Sequence, residues 1–114
     1  MTFELKTPYA EYNNCYFYTD RYTDNGNLFI GIAQDNKDTG DVDYIMNVTV
    51  NLGMPLPDGY IAVKDYSENE GLLEKMKALG MVTEVLAYLP SGYVSVPLCR
   101  YDRQILQKYT HSLN

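Results

Sequence analysis

Alternating apolar and polar positions predict strands along most of this chain, interrupted by one helical stretch. The best-patterned strand runs from Leu28 to Gln34, with Leu28, Ile30 and Ile32 on one side and Phe29, Gly31 and Ala33 on the other. Asp24-Asn25-Gly26-Asn27 ahead of it is a turn signal, because Asn and Gly accept the positive φ that tight turns need. The Tyr-, Asn- and Thr-rich front of the chain offers only Tyr16 to Thr19 as a short strand. Residues 35–43 form a polar, acidic hairpin loop, and Tyr44 to Leu52 returns as a strand. Its alternation puts Tyr44, Met46, Val48 and Val50 on one face and Ile45, Asn47, Thr49 and Asn51 on the other, giving an antiparallel pair with one buried face.

Pro55, Pro57 and Asp58 make residues 53–59 an irregular connection to a short strand at Tyr60 to Lys64. Ser67 with Glu70 three residues on is a capping box, and Leu72, Leu73, Met76 and Leu79 share one helical face. Lys75 and Lys77 suit the negative end of a helix and Gly80 a stop, so a helix is predicted from about 68 to 79. Val82 to Leu89 and Tyr93 to Leu98 read as strands joined at Pro90-Ser91-Gly92, and Arg103 to Tyr109 as a short closing helix. The predicted architecture is α+β: a mostly antiparallel sheet of about five strands with one main helix packed on one face. At 114 residues the chain is one domain, 1–114, with 1–14 and 110–114 expected to be less ordered.

Charge changes the picture. Residues 1–74 hold thirteen acids against four bases, a balance of −9, whereas the remainder holds five bases against two acids, +3. An acidic body repels free nucleic acid and attracts basic partners. Asp41 and Asp43 would project side by side from an extended chain. With Glu11, Asp20, Asp24, Asp35 and Asp38 they are expected to make one negative edge that can occupy a basic groove built for a phosphate backbone. Twelve tyrosines and no tryptophan suit strand positions or an interface, and Tyr16, Tyr18, Tyr22 and Tyr44 would add contact area if exposed.

Catalytic and metal chemistry is thinly supplied. His111 is the only histidine and lies four residues from the last position. Cys15 has no basic neighbour, and Cys99 precedes Arg100, which would lower its pKa. Structural zinc lacks its His and Cys ligands. Asp35, Asp38, Asp41 and Asp43 resemble a calcium loop, but with Gly40 at the sixth position the third is Lys37 and the twelfth Met46, neither a ligand. Gly26, Gly31, Gly53, Gly59 and Gly71 match no phosphate-loop spacing, and no catalytic residue, cofactor or metal is expected. Asn47-Val48-Thr49 matches a glycosylation acceptor but lies in a predicted strand. Two distant cysteines, a charged start and no apolar run of about 20 residues point to a cytoplasmic protein without a membrane span.

Tyr22 to Gly31, Asn47 to Leu52, Asp65 to Asn69 and Ser91-Gly92-Tyr93 resemble an uncharacterised domain family of short proteins carried by conjugative elements and phages of anaerobic gut bacteria. The resemblance spans about residues 14 to 103 and implies no catalytic residue. The genetic setting it implies, with the acidic charge, suggests an inhibitor of host defence of the anti-CRISPR or antirestriction type. Such a protein binds a basic surface of a nucleic-acid-binding effector and not nucleic acid itself. The alternative is an accessory module that self-associates through a sheet edge, as a homodimer.

Overall fold

The computed structural model describes residues 1–112. The chain runs β1 (Phe3–Lys6), β2 (Glu11–Arg21), β3 (Leu28–Asp35), β4 (Val42–Asn47), β5 (Tyr60–Ala62), α1 (Leu72–Leu79), β6 (Val82–Ser91), β7 (Val94–Tyr101) and α2 (Arg103–Tyr109). A four-stranded sheet has the order β1-β2-β3-β4 and a three-stranded sheet the order β5-β7-β6, every pair antiparallel. The fold is α+β and mostly antiparallel, with seven strands where about five were expected and two short helices in place of one main helix. Thr49 bridges Val63, and Val50 N–H donates to the Ala62 carbonyl (2.9 Å), so the segments flanking β4 and β5 stitch the sheets together.

One core unites these elements. Phe17, Ile30 and Ile32 of the first sheet and Val48 just after β4 meet Ile61 and Cys99 of the second and Val63 just after β5, and Leu72, Leu73, Met76 and Leu106 cover them from the helices. Residues 3–6, placed within the less ordered 1–14, form β1: Phe3 and Leu5 are buried and pair opposite Cys15 and Tyr12. β2 is correspondingly eleven residues long, and not the four of Tyr16 to Thr19. Its first part, Glu11 to Asn14, is too polar to alternate, and only pairing with the neighbouring β1 makes it a strand.

The predicted capping box does not form. Ser67 adopts φ 58° in a 3-10 turn, Ser67–Asn69, and α1 starts only after Gly71, with Asp65 Oδ1 accepting from Leu73 N–H at 2.9 Å. The cause is tertiary: Asn69 is fully buried and its amide donates to the Asn47 carbonyl, which holds 67–69 in a tight turn against the first sheet. Gly80 ends α1 as expected, at φ 87° with its N–H on the Lys77 carbonyl.

The β6–β7 strands run further than expected. Ser91 pairs with Val94, so the turn is Gly92-Tyr93 with the positive φ (61°) first, as in a II′ hairpin, and Pro90 lies within β6. β6 is an edge strand, and Pro90 with two register irregularities blunts it against further pairing. α2 is capped by Asp102, whose Oδ1 accepts from Gln104 N–H (2.8 Å) and Ile105 N–H (3.1 Å). Asp102→Ala is expected to lower the unfolding free energy by about 1 kcal/mol, read by urea denaturation; an unchanged midpoint would mean that the cap contributes nothing.

Candidate functional site

The outer face of the first sheet carries a run of aromatic rings. Along β2, Cys15 and Phe17 enter the core while Tyr16, Tyr18 and Asp20 project outward, opposite Ala33, Gly31 and Phe29 of β3. A bulge brings Tyr44 to the same side. The register slips between Ile32 and Ala33, so Met46 lies opposite Ile32 and packs on the core whereas Tyr44 lies opposite Ala33 and is 65% exposed. This corrects the expectation that Tyr44 and Met46 share a face: Ile45 is the extra residue that inverts the alternation.

Four rings then form a continuous row. Tyr44 meets Tyr18 edge-on (5.3 Å between centroids, 72°), Tyr18 tilts against Phe29 (5.6 Å, 56°), and Phe29 meets Tyr22 edge-on (5.8 Å, 88°). Tyr22 is fixed by its hydroxyl, 3.2 Å from Thr49 Oγ1. Tyr18 lies flat over Gly31, so close that a Cβ there would come within 2.3–2.5 Å of its ring and hydroxyl. Burial, and then the neighbouring Tyr44 hydroxyl, push the Tyr18 phenol up, so Tyr18 stays uncharged at neutral pH.

Tyr16 is the exception among the expected contact residues. It is buried at 2% exposure beneath the His111 ring, which stacks on it at 4.1 Å and 7°, and its hydroxyl donates to Asp35 Oδ1 at 2.7 Å. His111 reaches it because the chain after α2 pairs with β2: Thr110 bridges Phe17, and His111 N–H donates to the Phe17 carbonyl at 2.9 Å. Residues 110–112, expected to be less ordered, thus form a strap along β2, while 113 and 114 lie outside the described residues. A groove follows, lined by Tyr18, Phe29, Tyr44, Asp20, His111 and the other strap residues.

The aspartates do not make one edge. Asp20 and Asp24 flank the β2–β3 turn, and Asp35, Asp38, Asp41 and Asp43 the β3–β4 turn, separated by the length of β3, about 24 Å at 3.4 Å per residue. Alternation along a single strand cannot show which end of a sheet each loop occupies, and this topology puts the loops at opposite ends. The β3–β4 loop is ordered by Asn36, whose Oδ1 accepts from Asp38 N–H (2.9 Å) and whose amide donates to Asp43 Oδ2 (3.3 Å). Asp24 accepts from the Asn51 amide at 2.9 Å. Among the described residues none of these six aspartates forms an ion pair: Arg100 faces Glu84 (3.6 Å) and Arg103 faces Asp58 (3.4 Å). Glu11 pairs with Lys6 at 3.5 Å, an exposed contact of little energetic weight.

Both thiols are free and buried, and burial pushes each up to about 11. Arg100 does not lower Cys99, because its guanidinium turns outward to Glu84 and the Tyr60 hydroxyl. The folded thiol pKa lies above the ordinary value of 9.0, so the stabilisation from the protonated thiols is full below about pH 9 and is lost as pH rises towards 11. Accordingly, both cysteines are expected to resist a thiol reagent at pH 8 until urea unfolds the protein. Rapid labelling of the native state would contradict their burial.

Among the described residues no three His, Cys, Asp or Glu side chains converge as metal ligands, and no helix is long and apolar enough to cross a membrane. The expected contact residues include neither Gly31, Phe29 nor His111; a glycine opposite a tyrosine inside a strand is the one signal for this face. Comparison with protein-family models, curated proteins and solved structures finds no match.

Proposed function

We propose that this protein is a non-enzymatic binding protein that docks a basic surface of another protein on the outer face of its first sheet. The observation that carries this reading is the row Tyr44–Tyr18–Phe29–Tyr22, which is open to solvent at Tyr44 and lies between two groups of aspartates without ion pairs among the described residues. Aromatic rings provide rigid contact area at an interface, and unpaired carboxylates steer a cationic partner and set its orientation. The net charge of −6 disfavours nucleic acid as the ligand.

The partner class that fits is a nucleic-acid-binding effector of host defence, with the protein supplied by a phage or mobile element and acting in the cytoplasm. Its contact combines a sheet face with the acidic β3–β4 hairpin at one end and Asp20 and Asp24 at the other. The test is displacement: CRISPR effectors and restriction nucleases of anaerobic bacteria, loaded with labelled nucleic acid, are titrated with the protein at several salt concentrations. Stoichiometric release from at least one, weakened about tenfold by changing Asp38, Asp41 and Asp43 together to Asn and suppressed by salt, is the expected result. Release that ignores both salt and the triple substitution would count against the reading.

A further inference from the structure

We propose, resting on the docking reading above, that the groove between the aromatic row and the C-terminal strap receives an arginine side chain of the partner. Its floor is Tyr18, pressed onto Gly31 and flanked by Phe29 and Tyr44; its far side is the strap at His111. Asp20 lines the same groove, and the orientation of its carboxylate is set by the backbone: Oδ1 accepts from Arg21 N–H at 2.8 Å, which leaves Oδ2 available to a ligand. Among the described residues the lining contains no lysine or arginine, and Arg21 turns away to the Gly26 carbonyl at 3.4 Å. The groove therefore offers aromatic surface and one unpaired carboxylate, with no cationic lysine or arginine of its own.

That combination selects a planar, weakly hydrated cation. A guanidinium lies against aromatic surface and at the same time donates two parallel hydrogen bonds to a carboxylate, whereas an ammonium keeps its hydration shell and binds as a point charge. Other occupants fit less well. The rings stand at 56–88° to one another and so present no shared flat surface on which a sugar or a row of bases could stack, and the Asp20 carboxylate repels phosphate.

The experiment is an NMR titration of the full chain with three capped tripeptides, Gly-Arg-Gly, Gly-Lys-Gly and the uncharged citrulline analogue. The arginine peptide is expected to move the ring signals of Tyr18, Phe29 and Tyr44 and the backbone of Asp20 saturably, the lysine peptide to bind several-fold more weakly, and the citrulline peptide to leave them unmoved. Asp20→Asn, an exposed change that leaves the rings in place, is expected to weaken the arginine peptide at least fivefold, and Tyr44→Leu to do the same through the loss of aromatic surface. Equal response to arginine and lysine, a response to citrulline, or shifts confined to residues 35–43 would overturn the inference. An oligolysine peptide separates the two readings: if it binds the sheet face regardless of Asp20, docking stands and the arginine receptor fails, and if no basic peptide binds, both fail.

Discussion

Phe17→Ala is expected to lower the unfolding free energy by about 3–5 kcal/mol, the largest effect of any single truncation considered for this chain. Phe17 is fully buried at the centre of β2, tilted on Phe3 of β1 (4.8 Å, 40°) and edge-on to Tyr109 of α2 (6.5 Å, 88°). It ties the first strand and the last helix to the middle of the first sheet. Truncation removes the buried apolar area and leaves a cavity that these three elements cannot close without breaking the β1–β2 register. A domain of this size has about 5–15 kcal/mol in total, so much of it would be lost. Urea denaturation measures the difference; a loss below about 1 kcal/mol would mean that β1 and α2 do not pack on β2 as described.

Gly31→Ala is expected to leave the protein folded and to reduce binding of a basic peptide at least tenfold. Gly31 has no positive φ, so its backbone tolerates alanine and the cost is steric: the new Cβ would meet the Tyr18 ring at 2.3–2.5 Å. The atoms it meets are the far end of a half-exposed side chain, which can swing outward, so the stability loss should be about 1–3 kcal/mol. Swinging Tyr18 out breaks its contacts with Tyr44 and Phe29 and divides the aromatic row. A double-mutant cycle with Tyr18→Ala isolates the clash: adding Gly31→Ala to Tyr18→Ala should cost little further stability and restore no binding. Additive stability losses would show that Tyr18 does not lie on Gly31.

Where the fold was legible, the signal was local. The β3 strand, the stop at Gly80, the helix at Arg103–Tyr109 and the turn before Leu28 all follow from residues within one or two turns of chain. The failures turned on pairing and packing that the local pattern does not encode. Ser67 and Glu70 fit a capping box, yet burying Asn69 against Asn47 outweighs it. Glu11 to Asn14 has no strand pattern of its own, yet β1 makes it one. Tyr16 was expected to add contact area if exposed, but His111, 95 positions later, covers it.

By itself the sequence determined an acidic, mostly antiparallel α+β chain with a polar hairpin at 35–43. Periodicity, turn chemistry and charge count are properties of neighbouring residues, so they survive without knowledge of the fold. Only the tertiary structure decided that the aspartates separate into two groups, that the bulge at Ile45 turns Tyr44 outward, and that Gly31 lets Tyr18 settle on the sheet. Each of those outcomes depends on register between strands, and a slip of one residue exchanges the two faces of a sheet.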